Sequence, residues 1–267
     1  MAPHRYRMAI PFGIALALGS VASAQEKQPD SGSTEKPPQG TSRIELGLAF
    51  AQSLGTSTFS SSQTLRKYAE DGTLNSSYKV GGAPGGGLDL QYNLGARFGV
   101  RLGAQTFSRK SGATFDARIP HPFFFARPRD ISGSRSGLGF SETAVSLTGV
   151  YRRGSGKWTM SLEGGPAVFR VKATVAEEPT YAEAYPYDAA TFSGIVSSEK
   201  KASPFGFAVG LEIGRQITSS VSVVALGRFV QGSSDLDLKG QKIPFTAGGA
   251  QARLGLRFVL ARKRASP

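Results

Sequence analysis

Between residues 43 and 260 the chain alternates apolar with small or polar residues at period two. It does so in eight runs: 43–53, 87–94, 97–107, 141–152, 157–170, 204–215, 220–230 and 250–260. Period two sends successive side chains to opposite faces of an extended backbone, so each run predicts a strand with two chemically different faces. One face reads Ile44, Leu46, Leu48, Phe50 in the first run; Phe98, Val100, Leu102, Ala104 in the third; and Ala252, Leu254, Leu256, Phe258, Leu260 in the last. No position on that face is charged. The opposite face carries Gly, Ala, Ser, Thr and Gln, with ten charges among them: Glu45, Asp89, Arg101, Glu142, Arg152, Glu163, Glu212, Arg228, Arg253 and Arg257. Five are acids, five are bases and none is Lys. Such a balance suits an enclosed space, where a charge is tolerable only when paired.

Alternation alone fits either a soluble barrel, apolar inside, or a membrane barrel, apolar outside. Three features favour the second. Small residues (Gly47, Gly103, Gly165, Gly206, Gly210, Gly255) crowd the polar face, as a narrow interior requires. Aromatics sit near strand ends (Phe50, Tyr92, Phe98, Tyr151, Trp158, Phe205, Phe229, Phe258), as in interfacial girdles. The connections also alternate: short turns near 95–97, 153–156 and 216–219, and long excursions over 54–86, 108–140, 171–203 and 231–249. Short periplasmic turns and long extracellular loops give that rhythm. The expected fold is all-β, an eight-stranded antiparallel up-and-down transmembrane β-barrel occupying 43–260.

The ends of the chain read differently. Arg5 and Arg7, an apolar stretch over 8–18 and Ala22-Ser23-Ala24 predict a cleaved secretory signal at 1–24. Residues 25–42 are polar and Pro-rich without a hydrophobic period, which predicts a disordered periplasmic leader. Residues 261–267 form a basic tail containing Arg262-Lys263-Arg264, suited to anionic headgroups or cell-wall polymer.

The run Leu90-Gln91-Tyr92-Asn93-Leu94, a tight turn, then Phe98-Gly99-Val100-Arg101-Leu102, together with the last strand Ala252-Arg253-Leu254-Gly255-Leu256-Arg257-Phe258, resembles the small outer-membrane β-barrel proteins of the OmpA/OmpX type. The resemblance covers 43–260. It implies residence in the bacterial outer membrane, contact with outer-membrane lipid and lipopolysaccharide, and handling by the barrel assembly machinery. In that family a terminal aromatic is the assembly signal; Phe258 holds the matching strand position, although nine residues follow it.

Composition narrows the chemistry. The 267 residues hold 32 Lys+Arg against 19 Asp+Glu, a formal net charge of +13. Without Arg5 and Arg7 of the signal segment it is +11, divided between the second long connection, the short turns and the tail, on opposite sides of the membrane. No basic helix, zinc module or aromatic platform accompanies it, so nucleic acid is not an expected partner. There is no Cys, and there are two His, of which His121 alone follows the signal segment. Thiolate and histidine-rich metal sites are excluded, and neither a metal nor a cofactor is expected. His121 lies in Pro120-His121-Pro122-Phe123-Phe124-Phe125 with no Ser within three residues, poor material for a nucleophile–base pair. Instead His121, with Arg118, Arg127, Arg129, Arg135, Phe123, Phe124 and Phe125, is a candidate contact with an unknown extracellular ligand, anionic and partly apolar. The reading is a monomeric, non-enzymatic barrel with a surface-interaction role and a lumen closed by Glu/Asp–Arg pairs. A narrow porin-like channel and a lipid-modifying enzyme are the alternatives.

Overall fold

In the computed structural model, residues 42–238 and 241–262 are described. The expected signal segment and the leader up to residue 41 lie outside them, as does the tail beyond Arg262; Ser42 already belongs to the first strand and Ala261 and Arg262 to the last. Eleven strands follow one another: β1 (Ser42–Ser53), β2 (Ser57–Lys67), β3 (Glu70–Val80), β4 (Pro84–Asn93), β5 (Phe98–Ile119), β6 (Arg129–Ser155), β7 (Trp158–Glu183), β8 (Ala190–Ala202), β9 (Phe205–Gln216), β10 (Val221–Leu238) and β11 (Gln241–Arg262). Eight of them close a ring in the order β1–β4–β5–β6–β7–β9–β10–β11, with β11 returning to β1, and every pairing is antiparallel. Closure leaves no unpaired strand edge in that ring, the condition for a sheet to sit in hydrocarbon.

Tight turns join β4 to β5, β6 to β7 and β9 to β10. Leu94 N–H donates to the Phe98 carbonyl at 2.9 Å, Ile217 N–H donates to the Val221 carbonyl at 3.0 Å, and Gly156 takes a left-handed φ of 60° that a side chain would resist. The predicted outward positions are exposed: Leu102 50%, Leu147 51%, Leu162 53% and Leu254 60%. Tyr92, Phe98, Tyr151 and Trp158 ring the turn end, and Phe50, Phe205, Phe207 and Phe229 ring the other. On β9 the exposed apolar side chains from Phe205 to Ile213 span about 27 Å of strand, enough for a tilted wall across a bilayer core.

The long connections depart from expectation. They are largely strand, not loop. Within 54–86 lie β2 and β3; 108–119 continues β5, 129–140 begins β6, 171–183 continues β7, β8 fills 190–202, and β10 and β11 extend to meet near 238–241. β3 pairs with β5 and β8 with β7, so a wall rises above the membrane ring.

Along that wall the polarity of the two faces inverts. On β5 the inward side chains run Arg101, Gln105, then Phe107, Phe115 and Ile119, while the outward ones run Val100, Leu102, then Lys110, Asp116 and Arg118. The backbone parity is unchanged, so the chain has crossed from a lipid-facing to a water-facing exterior near Thr106. The upper part, here called the crown, therefore has an ordinary apolar core: Leu74, Tyr78, Val80, Phe115, Ile119, Phe140, Phe169, Val171, Val175 and Phe245 are all at most 4% exposed. Phe59 stacks on Tyr78 with ring centroids 4.5 Å apart and meets Phe245 edge-on at 5.5 Å. Buried Tyr78 satisfies its hydroxyl by accepting the Ala176 N–H at 2.8 Å.

Candidate functional site

Inside the membrane ring the structure gathers the charged side chains into a connected lattice. Arg101, 2% exposed, reaches Glu163 at 2.5 Å, Glu212 at 2.9 Å and Asp89 at 3.8 Å, and donates twice to Gln91 Oε1. Arg257 donates through both terminal nitrogens to Glu212 and approaches Asp89 at 3.3 Å and Glu45 at 3.7 Å. Arg253 meets Asp89 at 3.0 Å. Arg152 grips Glu45 with a two-pronged contact at 2.8 and 2.7 Å, and Asn93 adds a 2.9 Å bond to the same carboxylate. Arg101 of β5 with Glu163 of β7 and Glu212 of β9, and Arg152 of β6 with Glu45 of β1, join strands that are not neighbours in the wall, so the lattice crosses the lumen.

Two of the ten expected members are placed otherwise. Glu142 does not meet the expected partners; it lies 3.6 Å from Arg109 and accepts the Gly248 N–H at 3.3 Å, at the level where the lumen gives way to the crown. Arg109 is a member that sequence reasoning missed, because it falls two residues past the strand end assigned to 97–107. Arg228 forms no ion pair within 4.0 Å among the described residues; its Nε donates to Gln251 Oε1 at 3.0 Å. With Arg109 counted, the inward face carries six Arg against five acids, not an equal number.

The glycines of this face make room for the lattice. A Cβ on Gly47 would stand 2.5 Å from Asp89 Oδ2, and one on Gly210 would stand 2.9 Å from Arg228 Cβ and 3.1 Å from Glu163 Oε1. In a ring of eight strands the interior is filled by side chains, and these positions are already occupied by their neighbours' charged groups.

At the far end of the crown three tips are fastened together. Glu70, beyond the β2–β3 turn, accepts the Ala126 N–H at 2.7 Å. Arg129 binds Glu183 at 2.5 Å and donates to the Tyr187 and Pro120 carbonyls at 3.0 and 3.2 Å. Arg127 sits 3.4 Å from Asp188, and the Phe123 and Tyr187 rings are 5.4 Å apart. Below them Lys67 binds Glu178 at 3.0 Å and Tyr181 at 3.4 Å. Burial pulls the Lys67 pKa down, but the Glu178 carboxylate and the Tyr181 hydroxyl outweigh it, so the ammonium lies above its ordinary value.

Of the candidate surface contacts, Phe123, Phe124 and Phe125 are 67%, 53% and 77% exposed, and Arg118, Arg127 and Arg135 are exposed too. His121 and Arg129 are not surface contacts: they are 2% and 5% exposed and hold the tip from within. His121 Nδ1 accepts the N–H groups of Phe123 and Phe124 at 3.1 and 3.2 Å, while Nε2 faces Asp188 at 3.8 Å. With one nitrogen turned to the backbone and the other to a carboxylate, neither is directed at a hydroxyl nucleophile. Tyr185, 85% exposed, extends the aromatic tip and was not singled out from sequence. No group of three metal-ligating side chains occurs among the described residues.

A closed ring of eight strands, a charge-free apolar belt between aromatic girdles and a polar filled lumen define an outer-membrane β-barrel. Neither a protein-family model nor a curated protein sequence matches the chain. Among solved structures it is similar to Ail, the attachment invasion locus protein of Yersinia pestis, at 12% identity over 83% of this chain and 100% of that one, with a TM-score of 0.39. It is also similar to Neisserial surface protein A, at 9% identity over 81% and 97% with a TM-score of 0.41. A third similar structure is the outer membrane protease OmpT of Escherichia coli, at 10% identity over 85% and 100% with a TM-score of 0.43.

Proposed function

We propose that the protein is a non-enzymatic, non-conducting barrel that holds a rigid crown above the outer membrane as an interaction surface. The carrying observation is the fastened tip, where Phe123, Phe124, Phe125 and Tyr185 stand exposed and the Arg127 guanidinium lies 5.7 Å from the centre of the Phe124 ring, with exposed Arg118 on the strand that leads to it. Exposed aromatics in one place mark contact surfaces, and Arg matches phosphate or carboxylate in a fork geometry. The ligand class these groups suit is anionic and partly apolar, presented by another surface. The lumen lattice supports the non-conducting half of the reading, because ion-paired side chains fill a ring of this size.

Beads coated with lipopolysaccharide, and bare beads, test the tip against cells displaying the wild type or F123S/F124S/F125S. The variant should lose the bead binding that the wild type shows while reaching the surface in equal amount. Equal binding by both would remove the tip from the function. In planar bilayers the wild type should give no steady conductance; a large stable current would favour the porin alternative.

A further inference from the structure

Directly above the apolar belt, the outward face of β6 to β8 turns cationic. Val168 beside Phe205 is the top apolar row there. Two residues further along β7 comes Arg170, then Lys172, and Lys172 lies directly across from Lys201 of β8. Lys110 of β5 shares this level and also faces outward. Glu199 is the carboxylate near Lys172, at 3.8 Å, with both side chains about half exposed. Two lysines opposite one another on paired strands repel and destabilise the sheet by themselves. A chain that keeps such a pair in an otherwise self-consistent wall breaks a local rule, as functional sites do.

The same level holds a depression of about 560 Å³ lined by Ser108, Lys110, Ser141, Lys172 and Thr174, with the Glu199 carboxylate and Gly137 and Gly139 also on its wall. One outward step lower on β5 and β6, Thr106 and Thr143 bring their hydroxyls within 3.2 Å. These two threonines also bound, at its β5–β6 end, a second depression of about 740 Å³, which crosses the belt past Leu254, Phe50 and Leu88 over Gly86 and Gly87. An apolar trough thus crosses the lipid-facing wall from β11 to β5 and ends, at Thr106 and Thr143, one outward step below a hydroxyl-lined hollow bordered by Lys110, Lys172 and Glu199. Consecutive outward positions are about 6.7 Å apart along a strand, so trough and hollow lie within the length of one lipid molecule.

We propose that this is a seat for a phosphorylated lipid of the outer leaflet. An acyl chain lies in the trough, and a phosphate sits in the hollow on Lys110 and Lys172, with Arg170 and Lys201 beside it. Glu199 offsets one cation of this group through a long, half-exposed contact, so the phosphate adds the further negative charge that Lys110, Lys172 and Lys201 together call for, and the Ser and Thr hydroxyls donate to its oxygens. This site is separate from the distal tip and faces the membrane in which the barrel itself stands.

Full-length protein folded into phosphatidylcholine nanodiscs is titrated with diphosphorylated lipid A, and retained lipid is counted by native mass spectrometry. K172Q should weaken retention about 5-fold and K172Q/K201Q about 25-fold, each cation near the surface contributing about 1 kcal/mol. K157Q, in the opposite turn, should leave it unchanged. Thermal unfolding separates ligand from scaffold. In phosphatidylcholine alone K201Q should unfold at the wild-type temperature or above it, because the Lys–Lys opposition is gone. Added lipid A should then raise the wild-type midpoint clearly more than that of K172Q/K201Q. Equal retention by wild type and double variant overturns the proposal. So does equal binding of dephosphorylated lipid A, and so does displacement by millimolar inorganic phosphate, which would reveal a free-anion site.

Discussion

Glu212 is the carboxylate on which the lumen lattice turns, and replacing it by Gln isolates what that lattice contributes. Glu212 is 2% exposed and receives bonds from two guanidinium groups, Arg101 and Arg257. Gln keeps the volume and one acceptor oxygen but removes the charge. Arg101 would keep Glu163 at 2.5 Å. Arg257 would be left with the longer contacts to Asp89 at 3.3 Å and Glu45 at 3.7 Å. Removing one partner of a buried pair costs about 3–5 kcal/mol, because the other charge stays buried without compensation. E212Q should therefore lose about 3 kcal/mol, the low end, since both Arg keep some negative neighbour. E178Q, at the half-exposed Lys67 pair, should lose under about 1 kcal/mol. Urea unfolding from lipid vesicles, followed by the fluorescence of Trp158 at the membrane girdle, reads both. The double variant E212Q/R257M should recover part of the loss, because it removes the stranded guanidinium too. If E212Q costs no more than E178Q, the lumen is hydrated and the lattice argument fails.

Leu102, 50% exposed in the middle of the belt, should cost about 2–4 kcal/mol as L102R in vesicle-folding assays, while neutral L102V stays near wild type. Arg228, which forms no ion pair within 4.0 Å among the described residues, should behave opposite to the paired arginines: R228M should be neutral or stabilising in the same urea titration. Y78F should leave the buried Ala176 N–H without its 2.8 Å acceptor and cost about 1–3 kcal/mol, seen as faster amide exchange in the crown with the membrane ring unchanged.

The membrane strands were legible because parity survives any error in their ends: a strand misjudged by two residues still sends the same side chains outward. Leu102, Leu147 and Leu254 are exposed for that reason. The crown was not legible, because the criterion itself reverses there. Past Thr106 the odd positions of β5 become the apolar ones, and a search for apolar even positions reads the stretch as loop. The signal was nevertheless present in Phe107, Phe115 and Ile119, which continue the same period on the other face. The lumen residues were legible as a set and not as pairs. Arg101 of β5 meets Glu163 of β7 and Glu212 of β9, and the period along a strand carries no information about which strands face each other across a closed ring. Arg109 was lost with the strand end. His121 and Arg129 looked like surface groups because sequence places them in a connection, and nothing local shows that Glu183 and Asp188 fold back over them.

The height of the crown has a further consequence. Beyond Phe107, β5 runs another 12 residues to Ile119, about 40 Å of strand, or about 30 Å of rise at the tilt usual for barrels. A tip on flexible loops would lie down among the sugars that carpet the bacterial surface and would spend entropy each time it stood up. Here the reach is fixed by hydrogen-bonded wall around an apolar core, so Phe123 to Phe125 stay raised above the membrane like a lamp on a post. Whatever touches that tip meets it at a constant distance from the lipid, and changes of residue there alter what is touched without altering how far the molecule reaches.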